Sequence, residues 1–179
     1  MKSVVCINGG TATDSYNKLL TRYIASRYST TIEWSEPDIM ALPLILANGD
    51  NNQSVAVTDF LKAVASADAV VIATPEYNNA TTAGIKNALD WCSFAPYPLS
   101  DKPTLLMGAS TGTLGTVRAQ QNVREILQSA MLSPRLVNPP EILLGHANTK
   151  FDDQGNLMDH QTLSLIDEAM HKLIQMIEV

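Results

Sequence analysis

Three polar stretches, each following a short apolar run, hold most of the residues able to do chemistry. The first is Asn8-Gly9-Gly10-Thr11-Ala12-Thr13-Asp14-Ser15-Tyr16-Asn17. Glycines permit a tight turn with exposed N–H groups. The hydroxyl and amide side chains then lead into a helix start, where the dipole favours an anion. A phosphate monoester fits such a cradle. A plain strand-to-helix turn with Asp14 or Ser15 as N-cap accounts for the same residues. Neither Gly-x-Gly-x-x-Gly nor Gly-x-x-x-x-Gly-Lys-Ser/Thr occurs here, which argues against dinucleotide and nucleoside triphosphate loops.

The second stretch is Thr74-Pro75-Glu76-Tyr77-Asn78-Asn79-Ala80. Pro75 ends the preceding strand, and Tyr77 with Asn78 offers a flat surface and hydrogen bonds to a planar heterocycle. It runs into Ala83-Gly84-Ile85-Lys86-Asn87-Ala88-Leu89-Asp90-Trp91. In that helix Ile85, Ala88, Leu89 and Cys92 form one apolar stripe, while Trp91 and Ala95 fall on another face. A helix apolar on two faces is usually buried twice. The expectation is a subunit contact across residues 83–95; the alternative is that Trp91 lies under a loop of its own chain.

The third stretch runs from Gly108 through Ser110, Thr111, Gly112 and Gly115 to Arg118 and Gln120. Small residues let the backbone approach a ligand closely, and free N–H groups can face an electron-rich ring edge.

Such loops need a frame that brings them together. Ser3 to Ile7, Ala69 to Ala73 and Thr104 to Met107 are unbroken apolar runs, the pattern of parallel strands covered on both faces. Thr30 to Trp34 is a weaker strand and Glu141 to Leu144 a plausible last one. Helical stripes separate them: Tyr16–Leu19–Leu20–Tyr23–Ile24, Val57–Phe60–Leu61–Val64, Val123–Ile126–Leu127–Ala130, and a closing run from Leu163 to Ile177. The alternation predicts an α/β fold, a three-layer sandwich with a five-stranded parallel sheet, in one domain over residues 1–179. Ser35 to Gln53 and Gly145 to Asn156 read as irregular surface segments. In such a sheet, ligands sit beyond the carboxyl ends of the strands, where all three polar stretches lie.

The 179 residues are 45% hydrophobic and 17% charged, with a formal net charge of −6. That balance disfavours binding to nucleic acid or to an anionic membrane surface. The apolar run after Lys2 is too short for a signal or spanning segment, so a cytoplasmic location is expected. Cys6 and Cys92 lie in apolar segments and read as buried hydrophobes. His146, His160 and His171 lack the spacing of metal ligands, and no metal is expected.

Taken together, the three loops resemble the NADPH-dependent FMN reductase family, which includes azoreductases, quinone reductases and chromate reductases. The resemblance is strongest in Pro75-Glu76-Tyr77-Asn78 followed by Lys86-Asn87-Ala88-Leu89-Asp90-Trp91, and extends to Ser110, Gly112, Gly115, Arg118, Ala119 and Gln120. It implies a flavodoxin-like fold that holds FMN. The phosphate would lie in the first loop, at Gly9, Gly10, Thr11, Ser15, Tyr16 and Asn17. Pro75, Glu76, Tyr77 and Asn78 would flank the ring and ribityl chain, and Ser110, Thr111 and Gly112 would approach the other ring edge. Ala12 stands where many members carry an arginine, and Gly10 where they carry serine.

The implied reaction is ping-pong: NADPH or NADH reduces FMN, leaves, and a small-molecule electron acceptor takes its place. The acceptor would be a quinone, azo compound, metal oxyanion or free flavin. The flavin carries the chemistry, so no protein acid, base or nucleophile is assigned. The resemblance further implies a homo-oligomer, dimer or tetramer. A flavodoxin-type electron carrier or a flavin-binding redox sensor without NAD(P)H turnover is the alternative. The first loop lacks the Thr/Ser-x-Thr-Gly-x-Thr reading usual in carriers.

Overall fold

The protein's computed structural model describes residues 1–46 and 54–178. Part of the Ser35–Gln53 segment, residues 47–53, therefore lies outside the described residues. The unbroken branched runs form the centre of one parallel sheet. Its strands are β1 (Lys2–Asn8), β2 (Ile32–Ser35), β3 (Ala69–Ala73), β4 (Pro103–Ala109), β5 (Arg135–Leu136) and β6 (Ile142–Leu144). The spatial order is β2-β1-β3-β4-β5, with β6 also paired to β4.

The expected parallel sheet is present, its five positions holding six strands. β5 pairs with Pro103 and Thr104 at the start of β4, and β6 pairs with Met107 to Ala109 at its end. One outer position of the sheet is thus filled by two short strands. Between them stand Pro139 and Pro140, which have no N–H to give to the ladder. β5 carries no hydrophobic run, so nothing in its side chains announces it.

Alternate residues of each strand face opposite layers. Val5, Ile7, Val70, Ile72 and Leu106 pack with helices α2 (Val55–Ser66), α3 (Ala83–Cys92) and α4 (Val117–Leu127). Val4, Cys6, Val71, Leu105 and Met107 pack on the other side with α1 (Tyr16–Arg27) and α5 (His160–Ile177). This is the expected three-layer sandwich. Among its described residues, the Ser35–Gln53 segment contains a 3-10 turn, Ile39–Ala41, capped by the Asp38 carboxylate. In the second irregular region, a 3-10 turn at Ala147–Thr149 leads to a short hairpin closed by Phe151 and Leu157.

Both cysteines are buried, and burial raises their thiol pKa values: well above normal for Cys6, where Glu36 adds to the effect, and to about 12 for Cys92. Neither is a ready thiolate. No helix among the described residues is long and apolar enough to cross a membrane.

α1 is tied to α5 by one charged cluster. The Asp167 carboxylate accepts from Arg27 Nε at 2.8 Å, Arg27 Nη2 at 2.7 Å and Tyr28 Oη at 2.7 Å. The Arg27 bonds chiefly, and the Tyr28 bond after them, hold its pKa below the ordinary carboxylate value. A depressed acid contributes stability above its unfolded pKa and loses it as pH falls through the folded value. The pair is two-fifths exposed, so solvent screening limits its worth. Asp167→Asn should cost only about 0.5–1 kcal/mol at neutral pH. Urea melts of the two proteins should draw together as the pH falls below the ordinary aspartate range.

Candidate active site

The chain reverses direction across the sheet between β1 and β3: β2 lies on one side of β1, and β3 lies on the other. A crevice opens at the carboxyl edge at such a point. The loops after β1, β3 and β4 all leave from this edge, because Asn8 is in register with Ala73, and Ala73 with Met107. Backbone bonds carry the alignment into the loops. Gly9 N–H donates to Ala73 O at 2.9 Å, Thr74 N–H to Met107 O at 2.9 Å, and Ser110 N–H to Leu144 O at 2.9 Å.

Within the first loop, the two glycines do something other than expose donors. The Gly9 N–H is used in that ladder, and the Gly10 N–H donates to Asn8 Oδ1 at 2.8 Å. What both positions need is the missing side chain. A methyl group at position 9 would lie 2.6 Å from Ile85 Cδ1 and 2.7 Å from Thr82 Oγ1. At position 10 it would run into the Ser15 hydroxyl. Asn17 is likewise engaged: its Nδ2 donates to Ala109 O and its Oδ1 accepts from Ala109 N–H, both at 2.9 Å and buried. Its side chain joins α1 to β4, leaving only its backbone N–H toward the crevice edge. The Tyr16 ring stacks on Phe151.

The donors that remain lie at the start of α1. Ser15 occupies the N-cap position, as expected, yet its side chain makes no capping bond. Among the described residues, no acceptor takes the N–H of Tyr16, Asn17 or Lys18. By contrast, α2, α3 and α5 are capped by the side chains of Ser54, Thr82 and Asp159. The first turn of α1, with the hydroxyls of Thr11, Thr13 and Ser15 around it, is a set of donors without acceptors. Asp14 is the one acid in the stretch and is exposed. Such a set suits an anion.

α4 also lacks a side-chain cap of its own. The carboxylate of Glu76 supplies it from the second loop, with Oε2 accepting from Arg118 N–H at 2.9 Å and Ala119 N–H at 3.1 Å. Arg118 Nη1 in turn donates to Asn79 Oδ1 at 2.9 Å. Glu76 thus links the second loop to the third. Tyr77 and Ala80 exchange backbone bonds of 3.0 and 3.1 Å around Asn78 and Asn79, whose φ values are +51° and +65°. That is the tight turn in which asparagine tolerates left-handed backbone. It projects Tyr77, half exposed, from the edge.

In the third loop the Ser110 hydroxyl donates to Gly115 O at 2.6 Å, and Ala147 and His146 N–H groups close on Ser110 and Gly112 carbonyls. Thr111 and Gly112 are exposed, and among the described residues no acceptor takes their N–H groups. A methyl at Gly112 would touch only Ser110 Oγ, at 3.6 Å. Gln120 fixes the far side, its Nε2 donating to Ile142 O at 2.9 Å.

The two-faced α3 helix finds its second cover inside the chain. Trp91 is buried, and its Nε1–H donates to Pro43 O at 2.8 Å. Asn87 Nδ2 donates to Leu42 O and Pro43 O, and its Oδ1 accepts from Ile45 N–H. Trp91 itself lies under the segment at 42–45 of its own chain, the alternative reading of that residue. Among the described residues, no cluster of three or more His, Cys, Asp or Glu is placed to hold a metal.

Comparison with known proteins accords with this geometry. A family model described as NADPH-dependent FMN reductase matches residues 2–149. The NADH:(hydroxy)cinnamate reductase subunit CrdA of Vibrio ruber is 34% identical over 175 residues, covering 98% of this chain and 87% of the relative. A quinone reductase of Escherichia coli K12 is 34% identical over 165 residues, covering 89% and 87%. Among solved structures, the flavoenzyme NAD(P)H:(acceptor) oxidoreductase FerB of Paracoccus denitrificans superposes with a TM-score of 0.89. It is 23% identical, with 99% of this chain and 98% of that one covered.

Proposed function

The chain belongs to the NADPH-dependent FMN reductase family, and from that premise we propose how it binds its cofactor and what it reduces. It is an FMN-dependent NAD(P)H oxidoreductase. We assign the FMN phosphate to the start of α1, held by the N–H groups of Tyr16, Asn17 and Lys18 and the hydroxyls of Thr11 and Ser15. The carrying observation is that uncapped, acceptor-free first turn at the switch-point edge. The N–H groups of Thr111 and Gly112 supply donors for the carbonyl edge of the ring, and the Pro75–Asn78 turn lines its flank.

When bound, FMN takes two electrons from the nicotinamide and returns them to an acceptor. The protein's part is positional. Glu76 holds the second and third loops at a fixed separation, Gly112 leaves room for close backbone approach, and Tyr77 offers a flat exposed wall. Donor and acceptor are proposed to use the same open face in turn, with a quinone as the acceptor class the flat wall suits best. A cytoplasmic compartment, where nicotinamide donors are regenerated, fits that use. A dimer or tetramer through residues 83–95 is supported by the half-exposed rings of Phe94 and Tyr97 beside α3.

The test is a single preparation reconstituted with FMN. It should show oxidised-flavin absorbance, bleach anaerobically on NADH or NADPH addition, and recover its colour with a quinone. Parallel double-reciprocal plots would mark the alternating order, and sedimentation of the same sample reads the assembly. A carrier or sensor would keep its colour with the nicotinamide alone.

A further inference from the structure

Beyond residue 149, where the family match ends, the chain builds a small hairpin against the first turn of α1. Its stiffness comes from Asp152. That carboxylate accepts from Gln154 N–H at 2.9 Å, Asn156 N–H at 2.8 Å and Asn156 Nδ2 at 2.9 Å. Backbone bonds from Asp152 to Asn156 and from Gly155 to Asp152, both 3.0 Å, complete the turn. Gly155 adopts φ +81°, a conformation glycine accepts without strain. Buried Leu157 roots the hairpin in the core.

The hairpin's contact with α1 is specific. Phe151 stacks on Tyr16 with ring centroids 6.3 Å apart and planes 22° from parallel. One turn further along, Gly155 faces Leu19. Tyr16 is the first residue of α1, and its N–H is one of the three donors left without an acceptor. The first turn is therefore gripped at two points: from below by Asn17 on Ala109, and from outside by Phe151 on Tyr16. Ala12 provides no cation at this loop, so an anion there depends on the aim of backbone donors. Fixed donors hold their worth only while their geometry is fixed.

We propose that Phe151 is a positioning residue for the phosphate subsite, holding the α1 donors in line through Tyr16; this rests on the assignment of the FMN phosphate made above. It touches no reacting group, and it selects for a phosphorylated flavin over the same ring without phosphate.

The experiment compares dissociation constants of FMN and riboflavin, by flavin fluorescence, in wild type, Phe151→Leu, Phe151→Ala and Phe151→Tyr. Phe151→Leu keeps most of the apolar volume while removing the flat ring, so it reads the stack even if Phe151→Ala does not fold. FMN binding should weaken about tenfold in Phe151→Leu while riboflavin stays within about twofold, and Phe151→Tyr should restore the wild-type ratio. Proportional loss of both flavins would show a merely structural residue and overturn the proposal, as would unchanged FMN binding. A wild type that binds both flavins equally overturns the phosphate assignment itself. One that binds neither overturns the cofactor reading.

Discussion

Asn17→Ala should destabilise the protein by about 2–5 kcal/mol, the expected cost of leaving a buried N–H and a buried carbonyl of Ala109 without partners. Asn17 is 2% exposed. The melting temperature should fall by roughly 5–15 °C for a domain of this size. The effect on FMN should exceed what lost stability explains, because the Asn17 side chain ties the start of α1 directly to the end of β4. Asn17→Asp is the informative companion. It keeps the shape, accepts from Ala109 N–H, and when ionised cannot donate to Ala109 O. Burial would favour its protonated form, so this variant should gain stability relative to wild type as pH falls. Chemical denaturation at two pH values, with FMN titrations of the folded fraction, checks both claims. An Asn17→Ala protein that melts like wild type would mean the two 2.9 Å bonds contribute nothing net.

The layers and the central strands were legible because their cause is local. Val4 to Ile7, Ala69 to Ala73 and Thr104 to Met107 are branched and unbroken, and only double burial explains such runs. The edge was harder. β5 contains an arginine and a leucine, and its existence follows from backbone pairing with Pro103 and Thr104 rather than from side-chain pattern. At the site, the loops were readable as loops, yet the roles of several residues within them were not. Asn17 meets a partner 92 positions away, and Glu76 meets partners 42 and 43 positions away. No spacing rule reaches that far. Thr116 is a good N-cap by residue type, so the sequence gives no sign that the acceptor for α4 comes from Glu76. For Trp91, periodicity counts faces without saying what covers them. The covering segment begins at Leu42, where Pro43 frees a carbonyl for the indole.

Gly108→Ala should be strongly damaging, because the added carbon meets backbone on one side and a buried hydroxyl on the other. The Thr74 carbonyl and the Thr116 hydroxyl both lie well inside contact distance of that methyl. Thr116 is itself completely buried and accepts from Gln120 Nε2 at 3.1 Å, so it has little freedom to rotate away. Thr74 is the hinge of the second loop: its N–H is fixed to Met107 O, and its hydroxyl bonds Thr81 at 2.9 Å. Relief therefore has to come from the second and third loops moving apart. Overpacking of this kind costs about 3 kcal/mol, or roughly 6–12 °C in melting temperature. The movement pulls the Glu76 carboxylate from the N–H groups of Arg118 and Ala119, so the cap of α4 loosens with it. Gly112→Ala serves as the contrast, since its methyl would meet only Ser110 Oγ at ordinary distance. It should melt within about 0.5 kcal/mol of wild type, as open surface positions do. Any FMN loss it shows would then report a direct clash with bound cofactor. Equal melting of the two variants would remove the claim that the second and third loops are held at contact by Gly108.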